Sequence, residues 1–320
     1  MSKKLISFVI PCYGSEKYIT EVINEIKMIV KQKNEYDYEV IAVNDQSPDN
    51  VLKVLKGIAK KDEKVKVLNL AKNMNRPGAV MAGLSQTNGD YIIIMDDDGQ
   101  CPMENLWKLI KPLEDGHDVS MAKYTEYKQS LFKHFGTIIN REMTKVIIDK
   151  PKNISFTNFM ALQRFIVDEI LKYKNPYPYL TGLLLRTTND FVNIEMKERK
   201  RISGGTTFTF KKMLSLWING FTAFSVKPLR IATYLGCITS LFGFVCGLIL
   251  IFRKIISPER LLMGYSSLMS VLLFIGGIIM IILGLIGEYV GRIYICLNKP
   301  PQYVIKEKVN FKDGNSEKDK

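Results

Sequence analysis

Two stretches of this chain carry no charged residue at all, Ile231 to Phe252 and Leu261 to Gly287. Each is longer than the roughly 20 residues that an α-helix needs to cross a hydrocarbon core about 30 Å thick. A helix at the surface of a globular domain keeps a polar face, so buried core helices are the weaker explanation and two membrane spans are predicted. The 320 residues that surround and include them are 47% hydrophobic with a net charge of +13, enough for one sizeable globular core plus the spans. In MSKKLISFVIPCYG the apolar run breaks at Pro11, too early for a signal-peptide core of roughly 7–15 residues. The N-terminal domain, and with it both termini, is therefore expected in the cytoplasm. Lys227, Arg230, Arg292 and Lys299 border the spans on that side, in the positive-inside sense, while Arg253, Lys254 and Arg260 in the short loop oppose it. The cysteines, Cys12, Cys101, Cys237, Cys246 and Cys296, form no CxxC pair, which fits a reducing compartment and argues against zinc. His117 and His134 read as surface residues.

Ahead of the spans the pattern changes period. LISFVIP, YEVIAVND, VKVLNLAKN and YIIIMD read as strands, and SEKYITEVINEIKMIVKQ, DNVLKVLKGIAKKD and PGAVMAGLSQT between them read as helices. The first of these helices gathers Ile19, Val22, Ile23, Ile26 and Ile29 or Val30 on one side. Such alternation predicts a parallel sheet covered by helices on both faces. Ligands of such sheets gather beyond the carboxyl ends of the strands. That rule lines up Pro11 to Glu16, Asn44 to Ser47, Asn73 to Arg76 and Asp96 to Asp98 along one edge.

The last of these segments is chemically the most demanding. In YIIIMDDDGQCP an uncharged strand runs straight into Asp96, Asp97 and Asp98, each raising the cost of its neighbours' charge. A divalent cation between such oxygens removes that cost, and hard carboxylate ligands suit Mg2+ or Mn2+ bound together with a substrate diphosphate. A solvated acidic turn is the plainer alternative. With Asp45 at a neighbouring strand end, a nucleotide diphosphate site is favoured. Neither GxGxxG nor GxxxxGK[ST] follows any strand, so a dinucleotide fingerprint and a phosphate loop are excluded.

SFVIPCYGSEKYITEVI, VIAVNDQSPDN, NMNRPGAVMAGLSQTNGDYIIIMDDDGQCPMENL and LIGEYVGRIYICLNKPPQYVI together resemble family 2 glycosyltransferases that load a sugar onto a polyprenyl phosphate, relatives of dolichol-phosphate mannose synthase. The resemblance implies an α/β GT-A type domain with a mostly parallel sheet, then amphipathic juxtamembrane helices and two transmembrane helices. The implied boundaries are 1–205 for the cytoplasmic catalytic domain, 206–228 for the interfacial segment, 229–292 for the spans and 293–320 for a cytoplasmic, partly disordered tail. Pro11, Tyr13 and Glu16 would border the nucleotide and Asp45 would hold its base or ribose. Asp96 and Asp98 match the two acids of a D-x-D motif, catalytic and metal-ligating, with Asp98 favoured as the direct ligand. Gln100 and Pro102 shape the turn behind them, Gln100 on the donor side, and Asp97 takes the variable middle place. Gly14, Arg76-Pro77 and Gly99 depart from the family pattern. So does Ser155 in NISFTNFMALQRFIVDEI, which stands where many relatives place an aspartate proposed as a base.

The missing aspartate bears on the acceptor. A sugar hydroxyl would need a positioned general base, whereas a phosphate monoester is already anionic at neutral pH, its second pKa being about 6. A phosphate acceptor needs a cationic cradle and in-line placement instead. Arg199, Lys200 and Arg201 are the first candidates for that cradle, with Lys128, Lys133, Arg141 and Lys145 in a second basic stretch; a solvated face attracted to anionic lipid is the plainer reading of either. The expected reaction is transfer of a sugar, UDP-linked, to undecaprenyl phosphate at the cytoplasmic face of the cell membrane, metal-dependent and inverting, in cell-envelope glycan synthesis. Direct transfer to a glycan hydroxyl, or a non-catalytic scaffold with a degenerate nucleotide fold, remain the alternatives. Gly287 and Gly291 flanking Glu288 allow close helix contact, and so a homo-oligomer through the spans. The positive charge clusters beside the spans without any nucleic-acid module, so no nucleic acid partner is expected.

Overall fold

The computed structural model describes residues 3–124, 154–176, 178–199, 227–256, 264–298 and 300–311. The expected alternation is present: strand β1 (Lys4–Cys12), helix α1 (Ile19–Val30), β2 (Tyr36–Asn44), α2 (Val51–Ala59), β3 (Val65–Leu70), α3 (Asn75–Leu84) and β4 (Tyr91–Ile94). A 3-10 turn at Met103–Asn105 leads into α4 (Leu106–Glu114), followed by β5 (Val119–Tyr124), β6 (Met160–Gln163), α5 (Arg164–Leu171), α6 (Leu180–Thr187) and β7 (Phe191–Met196). Two long helices, α7 (Lys227–Ile256) and α8 (Tyr265–Leu297), precede a last strand, β8 (Ile305–Val309).

Among the described residues the eight strands form one sheet, in the order β7-β5-β6-β4-β1-β2-β3-β8. The four strands read from the sequence, β4-β1-β2-β3, run parallel at its centre. They are uncharged over most of their length because both faces are covered. On one face α1 contributes Ile19, Val22, Ile23, Ile26 and Val30 to a core shared with Phe8, Ile10, Val40 and Val67. On the other, α3 comes so close that a Cβ on Gly83 would lie 2.4 Å from Val9 Cγ1, which is why this helix is built of Gly78, Ala79, Ala82 and Gly83. The β1–β4 ladder stops at Val9 and Ile94, before Pro11, which has no N–H to continue it. The chain beyond Met95 is thereby released into the acidic turn.

The polar tail expected after the spans is corrected over its first part. Lys306 to Val309 belong to β8, which pairs antiparallel with β3 and closes an edge that would otherwise be open. Gln302, buried, donates from its Nε2 to the carbonyls of Tyr173 and Asn175, both at 2.7 Å. Tyr303, Ile305 and Phe311 pack against the core that contains Ile41, Leu68 and Ala79. The chain divides into two units, Met1–Thr207 with Lys299–Lys320, and Phe208–Asn298.

In the second unit the first charge-free stretch is helical throughout and the second from Tyr265 onward, α7 starting at Lys227 and α8 running to Leu297, past the predicted ends at 229 and 292. Among the described residues one stretch, Phe274–Leu297, is long and apolar enough to cross a membrane. The predicted interfacial segment lies almost wholly outside the described residues, as do Lys128, Lys133, His134, Arg141 and Lys145. His117 is at the surface as expected, its Nδ1 2.8 Å from Asp190 Oδ1.

Candidate active site

The carboxyl ends of β1, β2, β3 and β4 meet as the parallel topology requires. After β1, Tyr13 is exposed and its N–H donates to Asp97 Oδ2 at 2.9 Å. Gly14 takes φ +75°, a conformation that favours glycine, and donates its N–H to Ser47 Oγ at 2.7 Å. Glu16 is tied to the loop after β2: its N–H donates to Asp49 Oδ2 at 2.9 Å, and its carboxylate accepts the Asn50 N–H at 3.1 Å. Pro11 is buried in β1 and underlies this loop.

Asp45, 3% exposed, directly follows β2 and reaches the loop after β3. Its Oδ1 accepts the Met74 N–H at 2.6 Å, and its carbonyl accepts Asn73 Nδ2 at 3.0 Å. Burial pushes its carboxyl up to about 6, against the Met74 N–H, which favours the ionised form. The left-handed position in this loop is Asn75, at φ +57°. It turns the next residue, Arg76, toward the acidic turn.

Arg76 Nε donates to Asp96 Oδ1 at 2.7 Å, and from the other side Asn158 Nδ2 donates to Asp96 Oδ2 at 2.7 Å. Asp97 is pushed up to about 6, by burial first and by the charges of Asp96 and Asp98 after it. Asp98, buried, accepts the Gln100 N–H on Oδ1 at 3.1 Å. Gly99 between them has φ +74°, so the leucine usual in the family would be strained there. No three His, Cys, Asp or Glu side chains converge on a common point among the described residues.

Of the expected acceptor cradle only Arg199 lies among the described residues. Arg199 puts Nη1 and Nη2 on Glu25 at 3.0 and 2.8 Å and also bonds Glu104, so its charge is met by two carboxylates. Its backbone pairs with Gln100: the Arg199 N–H donates to the Gln100 carbonyl at 3.2 Å, and Gln100 Nε2 to the Arg199 carbonyl at 3.4 Å. Gln100, expected on the donor, thus spends its carboxamide on anchoring the chain after β7. Lys200 and Arg201 lie outside the described residues.

Ser155 contributes only its backbone. Its N–H donates to Asn193 Oδ1 at 2.7 Å, and its carbonyl accepts Asn193 Nδ2 at 2.9 Å. That clamp fixes the loop carrying Asn158, the residue which meets Asp96. Nothing local in the sequence distinguishes Asn158 from the other polar residues of NISFTNFM. Tyr124, at the end of β5, also faces the acidic turn: burial first, and then charges that include Asp96 and Asp98, raise its phenol above the ordinary range.

This edge, a D-x-D turn beside a buried aspartate at the carboxyl ends of parallel strands, is the context in which the sequence motifs acquire meaning. Residues 7–171, which contain all four loops and Asn158, match the pattern of the family described as Glycosyl transferase family 2. The chain belongs to that family. It is a glycosyltransferase with a GT-A type α/β fold. Residues 227–293, which span α7 and most of α8, match the GtrB C-terminal hairpin. A prophage bactoprenol glucosyl transferase homolog of Escherichia coli K12 is 32% identical over 94% of this chain and 98% of its own length. The bactoprenol glucosyl transferase of Shigella phage SfX is 29% identical over 95% and 99%. Among solved structures, glucosyl-3-phosphoglycerate synthase of Mycobacterium tuberculosis is similar over 68% of this chain and 80% of its own, at 16% identity and a TM-score of 0.48.

Proposed function

We propose that this family 2 glycosyltransferase moves a sugar from a nucleotide diphosphate, UDP-linked, to undecaprenyl phosphate at the cytoplasmic face of the membrane. The observation that carries the reading is Asn158. The side chain that the loop of residues 154–159 brings to Asp96 is a neutral carboxamide. A hydroxyl acceptor would require a base to take its proton. A phosphate dianion has no proton to lose, and its oxygen can attack the anomeric carbon directly. The bond from that carbon to the diphosphate breaks as the new bond forms, its electron pair leaving on the nucleotide, and the anomeric centre inverts. The names of the bactoprenol relatives, matched over nearly the whole chain, support the choice of lipid.

Tyr13 and Asp45 border the nucleotide in this reading, with Pro11, Glu16 and Gln100 holding the loops that present them. A resident Mg2+ or Mn2+ fits the turn as one partner of the donor rather than as a preformed site, since Asp98 and Asp96 are hard oxygen ligands and the diphosphate would complete the shell. When bound, the cation neutralises the charge that develops on the leaving diphosphate. Lys200 and Arg201 remain the proposed acceptor cations, while Arg199 is itself held by Glu25 and Glu104. The helices α7 and α8 anchor the enzyme to the membrane as two spans, and their Gly287 and Gly291 provide for a homo-oligomer.

Membranes containing the protein, incubated with a panel of radiolabelled nucleotide sugars and extracted into organic solvent, should yield one labelled polyprenyl-phosphate sugar. Label found only on soluble hydroxyl compounds would overturn the reading.

A further inference from the structure

We propose that Arg76 makes cation capture at Asp96 conditional on the nucleotide: the guanidinium covers Asp96 until a diphosphate takes it over. The inference rests on the donor and cation of the reading above and assigns a positioning role to a residue outside the D-x-D motif. Both oxygens of Asp96 are engaged, Oδ1 by Arg76 Nε and Oδ2 by Asn158, each at 2.7 Å. The pair is partly open to solvent, Arg76 at 32% and Asp96 at 28%. Solvent therefore screens it in part, and a competing anion can take the guanidinium over.

The guanidinium is also incompletely satisfied. Arg76 Nη2 is shut off from solvent and has no hydrogen-bond partner among the described residues. An orphan donor of this kind has a cost that a better acceptor relieves. A diphosphate is such an acceptor, because its oxygens match the planar fork of a guanidinium. A divalent cation arriving alone, by contrast, meets Asp98 and an Asp96 already covered by positive charge, which repels it at short range. The nucleotide reverses both terms, drawing Arg76 off Asp96 and adding its own oxygens to the cation's shell. The exchange needs only side-chain movement. Asn73 holds the loop to the Asp45 carbonyl, and Gly78 lies against the Gln302 carbonyl, 3.2 Å from where a Cβ would stand.

The test is Mn2+ binding to the full-length protein in detergent, read as loss of the free-ion electron paramagnetic resonance signal, with and without UDP. UDP should tighten Mn2+ binding to the unaltered protein at least tenfold. Arg76→Gln should bind Mn2+ alone at least tenfold more tightly than the unaltered protein, with the gain from UDP reduced to match. Arg76→Lys, which keeps the charge but not the fork, should still bind Mn2+ weakly without UDP and show a smaller gain from UDP than the unaltered protein, and Arg76→Met replaces the glutamine variant should that fail to fold. Equal affinities of the unaltered and Arg76→Gln proteins without UDP would overturn the inference, as would an unaltered protein indifferent to UDP. Asp98→Asn separates the two levels of reading. If it abolishes Mn2+ binding while Arg76→Gln changes nothing, only the role of Arg76 has failed; if no variant nor the unaltered protein binds Mn2+ with UDP, the cation reading has failed with it.

Discussion

Two buried carboxylates lie along the line of strand β2, Glu39 inside it and Asp45 just past its carboxyl end, and they are treated in opposite ways. Glu39, 4% exposed, is fully provided for: Ser7 Oγ donates to it at 2.5 Å, Lys66 Nζ at 2.6 Å and the Asn88 N–H at 2.7 Å. Burial alone would raise its carboxyl, but Lys66, Ser7 and Asn88 reverse that and hold it below the usual glutamate range. Asp45 is as deeply buried, yet the groups that act on it are backbone N–H donors rather than a cation, and its carboxyl is pushed up to about 6. Linkage turns this into opposite pH behaviour. Glu39 contributes stability that is present above its unfolded value near 4.5 and is lost as the pH falls through its lower folded value. Asp45 contributes none of that kind: its penalty grows as the pH rises from 3.8 to about 6 and then persists. One carboxylate stabilises the sheet, and the other costs it stability.

The widest separation between site and sheet should come from Asp98→Asn. It is expected to cut turnover by about a thousandfold or more, the scale of losing metal-assisted charge stabilisation, while the thermal midpoint stays where it was. Substantial turnover in that variant in excess EDTA would remove the cation from the reading. In the sheet, Glu39→Gln leaves Lys66 without its carboxylate. A loss of roughly 2–3 kcal/mol of stability is expected, below the full cost of breaking a buried pair because Lys66 reaches solvent, with kcat unchanged at a temperature where the protein remains folded. Denaturant titration and steady-state assays together measure this.

Asp45→Asn tests the comparison within one residue. The donor KM should rise about tenfold, the size of one charge-assisted hydrogen bond, while kcat holds. The unfolding midpoint should rise at pH 8, where the buried charge is removed, and be unchanged near pH 4. A midpoint lowered at pH 8 would mean that Asp45 is structural after all. The smallest effect belongs to Ser155→Ala. Because Asn193 grips only the backbone of that residue, turnover should change less than twofold, and a hundredfold loss in a single-turnover assay would give the hydroxyl a chemical role.

The central sheet was legible because β1 to β4 are covered on both faces and α1 follows a clean helical period, so burial wrote itself into the composition. The D-x-D turn was legible because three adjacent acids are costly without a reason. What escaped was anything whose partner is distant in sequence. Asn158 and Arg76 look like loop residues until topology sets them on either side of Asp96. Arg199 looked like a free cation until folding placed Glu25 and Glu104 against it. β8 escaped for a different reason: Lys306, Glu307 and Lys308 point to water from an edge strand, so its composition is that of a loose tail.

The pairing of β8 with β3 also orders events in time. During synthesis the edge of β3 has no partner until both long helices, α7 and α8, have left the ribosome, since the strand that covers it comes after them. The catalytic half of the molecule is therefore finished last, from the far end of the chain. A polypeptide interrupted anywhere in the helical segment would carry a bare strand edge beside the loop after β3.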